Sequence, residues 1–331
     1  MGRQRRRFIS KTPYEICFRA REGLPFAAYK TIELLIKSAL ARTQRDDKVT
    51  LCHDIWEGSH FHGLVIFYDA EDGKRFYEEL EKKLTDSLKR LLGLDYLNLW
   101  EKRPMVAPIE DEETAIERIS YFYANPAQDN LVDFIEKFPG YSSFPDFIKC
   151  KDSLSSFTSE EVPWIRLPSI PRLRSRVLTM TQDLGIRALL TKRNKKKHTL
   201  KRLPNEWMRC FEVYSDDDVA QINNQIMDRL REREAEAREN RLRKGIRLKG
   251  VSKLCSTPIL APHTPKKKER RIFVLASTKE ARIAFIEMIK TFNEECRRCF
   301  DEWRRGNFLV GWPPGAFRPP IPPAFNALPG Y

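Results

Sequence analysis

Two stretches of the sequence combine residue types and spacings that could do chemistry: His60-Phe61-His62 and Tyr121-Phe122-Tyr123-Ala124-Asn125-Pro126. Alternation along an extended strand throws His60 and His62 onto one face and Phe61 onto the other. Two imidazoles so placed converge on one metal ion; the same spacing also suits a pair of satisfied core or surface histidines. The strand continues Gly63-Leu64-Val65-Ile66-Phe67, apolar on both faces, which predicts a central place in a sheet. Histidines without partners are expensive to bury there. In the second stretch, Tyr121 and Asn125 are four apart and share a helix face. Tyr123 turns roughly 200° away and is expected to pack. Pro126 disfavours α geometry at Asn125, so Asn125 is expected at a frayed helix end with its amide oxygen free to coordinate. An aromatic core stripe ended by an Asn-Pro stop accounts for the same residues without chemistry. Arg118, one turn before Tyr121, would either steady a phosphate or form a solvated ion pair with a neighbouring glutamate. His53, on the preceding strand, reads mainly as structural.

These groups need elements to hold them. Tyr14 to Arg19 reads as a strand, followed by an amphipathic helix over about 26–42 with Tyr29, Ile32, Leu35, Ile36 and Leu40 at a 3.6-residue period. Val49–Trp56 and Phe61–Tyr68 read as strands joined through Glu57-Gly58-Ser59, a hairpin signal. A helix over 71–92, a strand near 97–106 and a helix from Glu112 to Asn125-Pro126 complete the first part. This order does not suit a doubly wound parallel sheet; it predicts an α+β fold, an antiparallel sheet backed by helices. Residues 151–215, rich in Ser, Pro and Lys, read as a basic linker, and 216–331 as a mainly helical basic extension ending in a Pro-rich tail from Trp312 to Pro323. Within it, Ser215 caps a long charged helix ending near Gly245, whose stripe Val219, Ile222, Ile226, Leu230 is expected to pack. Residues 250–270 read as loop, and 278–304 as a final helix.

Charge is uneven along the 331 residues. The formal total is +14, yet residues 1–150 hold 23 basic and 25 acidic side chains, while the remainder holds 37 and 21. A net +16 over the second part points to a nucleic-acid partner, with Lys195, Lys196, Lys197 and the run 266–268 adding salt-dependent affinity without sequence preference. Arg3, Arg5, Arg6 and Arg7 either reach along a DNA strand or lie disordered. Seven scattered cysteines suggest no disulfide framework and therefore a reducing cytoplasm. Cys296-x-x-Cys299 has no second pair to complete a zinc site. The sequence shows no signal-peptide pattern and no stretch near the roughly 20 apolar residues of a membrane span.

An H-x-H strand followed about sixty residues later by a helix ending Tyr-x-x-x-Asn-Pro resembles the single-tyrosine HUH transposases, and among them the REP-associated tyrosine transposases. Glu57 to His62 looks like that family's histidine hairpin. Residues 119–132, ISYFYANPAQDNLV, look like its tyrosine-helix signature, with Tyr141-Ser142-Ser143 as a closing phrase. The resemblance covers about residues 8–148, as one transposase domain over 1–150. Gly58-Ser59 departs from the Pro-Asn or Pro-Glu common before the first histidine and leaves the ligands intact. Trp303-Arg304-Arg305-Gly306 and Trp312-Pro313-Pro314-Gly315 match the extension of longer members more loosely.

The resemblance implies a ferredoxin-like HUH fold, with a metal ion held by His60, His62 and Asn125, Mg²⁺ with Mn²⁺ as substitute. It implies attack by Tyr121 on single-stranded or hairpin DNA, leaving a 5′-phosphotyrosine and a free 3′-OH that a later 3′-OH can reverse. Arg118, the N-terminal arginines and Lys195–Lys197 are the expected DNA contacts, no membrane is involved, and the assembly is a monomer or a dimer, the monomer favoured. The alternative is a non-catalytic, domesticated DNA-binding regulator on the same scaffold. Replication initiators and relaxases bring other domains or another histidine–tyrosine order, and an unrelated metal hydrolase would leave Tyr121 incidental.

Overall fold

Strands buried on both faces lie at the centre of the fold. In the computed structural model, residues 7–21, 23–46, 48–101, 104–263, 272 and 274–322 are described; Arg3, Arg5, Arg6 and the lysines 266–268 lie outside them. The chain runs β1 (Thr12–Arg19), α1 (Lys30–Asp46), β2 (Val49–Glu57), β3 (His60–Phe67), α2 (Ala70–Leu92), β4 (Met105–Pro108), α3 (Glu112–Gln128), β5 (Tyr141–Ser142) and α4 (Phe144–Cys150). The sheet order is β4-β1-β3-β2-β5, every pair antiparallel. This is the expected ferredoxin-like α+β arrangement, with β3 in the middle as its two apolar faces require.

The two faces of the sheet differ in kind. Tyr14, Ile16, Phe18, Trp56, Phe61, Val65 and Phe67 form one core with α1 and α2. Phe61 folds back across Gly63, where an added Cβ would come within 2.4 Å of its ring, so glycine is required at that position. The ring then stacks on Phe18, 4.9 Å between centroids, and lies 4.4 Å from Trp56. The opposite face carries Leu64, Ile66 and Ile55 under Ile116, Ile119, Phe122 and Tyr123 of α3. Asp69 caps α2 by accepting from the Glu71 and Asp72 N–H groups, and Gly93 ends it in the left-handed region at φ 63°.

The second half is more ordered than its composition suggests. The segment expected to be a linker, 151–215, holds β6 (Thr158–Pro163), α5 (Met180–Arg193) and β7 (Lys197–Arg202), with β6 and β7 paired antiparallel. Val162, Ile165, Leu190 and Leu200 join the core around α1; these few apolar residues anchor a segment that is otherwise polar. Arg202 is buried and donates to Asp54 at 2.9 Å, to Asp146 at 3.3 Å and to the Tyr141 hydroxyl, which ties β7 to the sheet. The expected long helix is α6 (Asp216–Arg243), capped by Ser215, and Val219, Ile222, Ile226 and Leu230 pack into the α3 core. Then come α7 (Val251–Cys255), a short helix inside the expected loop, and α8 (Lys279–Arg304). Cys296 and Cys299 of α8 are buried in a small cluster with Phe292 and Trp312. No helix among the described residues is long and apolar enough to cross a membrane.

Two sequence expectations fail locally. The strand expected near 97–106 is the shorter β4, and Trp100 makes only an isolated bridge to Ala20. The third helix does not stop at Asn125-Pro126 but continues through Pro126 to Gln128. A proline in the last turn removes one donor, and the turn closes around it. Asp129 N–H reaches the Asn125 carbonyl at 2.8 Å, and Leu131 N–H reaches the Pro126 carbonyl at 2.8 Å.

Candidate active site

The β2–β3 hairpin places the histidines. Glu57 ends β2, Gly58 and Ser59 make the turn, and His60 opens β3 opposite Glu57 and Arg19. The His60 and His62 rings face each other perpendicularly, 5.2 Å between centroids. His60 has Glu57 Oε2 3.5 Å from Nε2 and Ser59 Oγ 3.4 Å from Nδ1. His62 has Glu15 Oε1 3.0 Å from Nδ1 and Cys17 Sγ 3.9 Å from Nε2. Cys17 is its cross-strand partner on β1.

Glu15 organises this face. It is fully buried and accepts two hydrogen bonds from Arg118, from Nε at 2.6 Å and Nη2 at 2.8 Å, in addition to its contact with His62. Burial works against its ionised form, but Arg118 and His62 outweigh burial and hold the carboxyl at about 2. For His62, burial opposes the charged ring, while Cys17 and Glu15 outweigh it and raise the imidazole to about 10. A carboxylate on Nδ1 fixes the ring orientation, as it does for metal-ligating histidines; the raised value keeps a proton on Nε2, which a metal ion would have to displace.

Helix α3 brings the tyrosine. The Tyr121 ring stands perpendicular to His62 at 5.7 Å, and Phe122 stacks on the other side of the imidazole at 5.4 Å. The Arg118 guanidinium lies 4.3 Å above the Tyr121 ring and Arg233 of α6 lies 5.9 Å from it, so two cations border the phenol. Arg118 is therefore not in the solvated pair with a helix neighbour that the sequence suggested; it bridges α3 to the buried acid of β1. Asn125, one turn on, is buried, and its Nδ2 has no hydrogen-bond partner. The frayed end expected for it is absent, because α3 continues past it. Tyr123 points away as expected. It is fully buried, with its hydroxyl 2.8 Å from His53 Nδ1 and 3.1 Å from Ser143 Oγ. Burial pushes that phenol well up, and burial lowers His53 to about 3, so His53 is a neutral structural group.

His60, His62, Tyr121 and Arg118 thus meet on one face, with Asn125 on the same helix. Arg7 does not join them: its guanidinium lies against Phe292 of α8 at 5.5 Å. Lys195, Lys196 and Lys197 are exposed around the start of β7. Among the described residues no group of three or more His, Cys, Asp or Glu is arranged to hold a metal ion. A metal here would rest on two imidazoles and an amide oxygen. Residue-type reasoning missed Glu15 and Cys17. The available signal was a lone acid in the apolar alternation Tyr14-Glu15-Ile16-Cys17-Phe18, a charge that a buried strand tolerates only with partners. Beside His60 and Glu57 opens a cavity of about 280 Å³, bordered by Gln128, Phe138, Lys249 and Leu254. The later segment is tied over it by Lys249 N–H to Asn130 O and Gly250 N–H to Leu131 O, both 2.9 Å.

No family model matches the chain, and no curated protein matches it. Among solved structures, the chain is similar to one described as "Structure of the REP associates tyrosine transposase bound to a REP hairpin". That match has a TM-score of 0.39 and 20% sequence identity, covering 45% of this chain and 86% of that chain.

Proposed function

We propose that this protein nicks and rejoins single-stranded or hairpin DNA, with Tyr121 as nucleophile and a divalent metal on His60, His62 and Asn125. The observation that carries the reading is the Tyr121 ring packed edge-on to His62 with His60 alongside. Two imidazoles and an amide oxygen suit Zn²⁺ or Mn²⁺ as well as Mg²⁺; Mg²⁺, with Mn²⁺ as substitute, is the ion the resemblance implies. Glu15 braces His62 through Nδ1, and Asn125 is buried one helical turn beyond Tyr121, where its amide oxygen would be the third ligand. When bound, such an ion withdraws charge from a phosphodiester and orients it.

The chain's own residues do the rest. A phenol has a pKa near 10 and is a weak nucleophile at neutral pH. Arg118 and Arg233, paired with Glu15 and Glu117, border the ring and would draw the phosphate toward it. Attack of the Tyr121 oxygen on phosphorus forms the tyrosyl ester and breaks the bond to the 3′ oxygen, which leaves as a hydroxyl after taking up a proton. The new ester keeps the energy of the old one, so a 3′-OH can reverse the step on the same or another strand.

A labelled hairpin oligonucleotide with Mg²⁺ should give a covalent protein–DNA adduct on a denaturing gel. Tyr121→Phe should abolish it, and His60→Ala should reduce it by two orders of magnitude or more, on the order of what one lost catalytic donor removes. DNA binding with no adduct in the wild-type protein, under Mg²⁺ or Mn²⁺, would favour the regulator reading instead.

A further inference from the structure

A second cationic surface lies at the other end of the sheet. Strand β7 alternates: Lys197, Thr199 and Lys201 are exposed, while Leu200 and Arg202 are buried. Just before it, Lys196 Nζ lies 3.9 Å from the Trp164 ring, and Arg166 and Arg45 approach the same ring at 4.5 and 5.0 Å. His198 is 4.5 Å from it. The Trp164 backbone N–H donates to the Lys196 carbonyl at 2.7 Å, which extends the β6–β7 pairing and holds the two residues side by side. Alongside opens a groove of about 600 Å³ bordered by Arg45, Lys197, His198, Thr199 and Lys201.

The charge here is incompletely balanced. Asp46 takes Arg45 and lies 3.9 Å from Lys83; Glu161 accepts from Thr199, and Glu160 is held by Lys37 at 2.8 Å. Burial, with Arg45 and Lys196 next, lowers His198; burial also lowers Arg42, opposed by Asp46 and aided by Arg45 and Arg166. Cations packed this closely are relieved by a multivalent anion. Trp164 lies under Lys196 and Arg166 and does not project past the charges as a lipid-inserting side chain would. The exposed cations Lys197 and Lys201 are four residues apart on β7, roughly 13 Å, about two phosphate spacings along one extended strand. Phe157 is 54% exposed, with Lys201 Nζ 4.3 Å from its ring centroid, and so puts an aromatic ring beside the cations of this surface.

We infer that the β6–β7 strand pair and the end of α1 form a binding groove for the backbone of a single-stranded nucleic acid, separate from the Tyr121 site. The groove includes Val49 and Thr50 at the start of β2, whereas Glu57 beside His60 is eight residues further along, about 26 Å at strand rise. Binding in this groove does not depend on the chemistry proposed for Tyr121, and the two fail separately.

Fluorescence anisotropy with the full chain, a labelled oligothymidylate and no divalent metal tests it. Wild type should bind with an affinity that falls steeply with salt. Arg166→Ala with Lys196→Ala should weaken binding about tenfold or more at low salt and lower the salt slope by about 1.4, two single-strand phosphate contacts. Lys201→Ala should lower the slope by about 0.7. Both variants change exposed side chains, and far-UV circular dichroism should match wild type. Unchanged affinity and slope in the double variant would overturn the inference. So would tighter binding to a duplex of the same length, to polyglutamate or to anionic vesicles than to the single strand.

Discussion

The two faces of the five-stranded sheet are made by alternate residues of the same strands, yet they obey different rules. Toward α1 and α2, Phe18, Phe61, Val65 and Phe67 bury apolar surface with little polar content. Toward α3, the alternating positions are Glu15, Cys17, His53, Glu57, His60 and His62, most of them buried. Burying ionisable groups is unfavourable unless each is matched, and here Arg118, Tyr121, Tyr123 and Ser143 do the matching. One face therefore supplies stability and the other holds groups whose protonation and orientation matter.

The comparison is tested most strongly by one substitution on each face. Phe67 is fully buried between Tyr14, Phe8 and Phe76. Phe67→Ala should cost about 3–5 kcal/mol in urea denaturation, with adduct formed per folded molecule unchanged. Glu15→Gln removes the acid shared by Arg118 and His62. Its stability cost should be smaller, about 2 kcal/mol, because Arg118 retains some solvent contact. Its adduct yield should fall about 10–100-fold, as when a histidine's orienting partner is lost. Equal loss of adduct in both variants, after correction for folded fraction, would erase the distinction between the faces.

Much of this division was legible in the sequence. Alternation in β3 and the Gly58-Ser59 turn located the histidines, and the four-residue spacing on α3 separated Tyr121 from Tyr123. The packed stripe of α6 was also readable, because its period is local. The illegible parts depend on long-range pairing. Glu15 meets Arg118 across 103 positions, and Arg202 meets Asp54 across 148. Nothing local to 151–215 announces that a polar, Pro-rich segment will add a strand pair and a buried arginine to the sheet domain. The end of α3 was misplaced for a different reason: the preference of the residue before proline is modest, and the helix overrode it.

A smaller effect separates the two buried histidines by pH. His53 is lowered to about 3, chiefly by burial, with Arg202 adding to it and the Pro204 carbonyl opposing; Tyr123 and Phe147 complete its surroundings. A base whose folded value lies below its unfolded value near 6.5 contributes stability that is fully present above 6.5 and is lost as pH falls toward 3. His62, shifted upward, acts in the opposite sense and is silent on the acid side. Between pH 6 and 4.5, wild-type stability should therefore fall by up to about 1.4 kcal/mol per pH unit on account of His53. Below that, Glu15 adds a second loss as its carboxyl approaches about 2. His53→Gln, studied by denaturation across that range in EDTA, should flatten the upper part of the slope while leaving the Glu15 part. A slope unchanged by the substitution would mean His53 already binds its proton in the folded protein.

The smallest stability effect gives the sharpest division of roles, because it compares tyrosines two residues apart. Tyr123→Phe deletes a hydroxyl held by His53 and Ser143 and should cost about 1–2 kcal/mol. Its adduct should be intact, since its ring lies among Phe144, Phe147 and His53 rather than beside His62. Tyr121→Phe keeps the ring under Arg118 and against His62 and should change stability by no more than about 0.5 kcal/mol. It should nevertheless form no adduct. Denaturation curves and a denaturing gel on the same two preparations read both quantities. If the adduct survives in Tyr121→Phe and disappears in Tyr123→Phe, the nucleophile lies on the His53 side, and the Glu15–His62 cluster is a structural device rather than the centre of the chemistry.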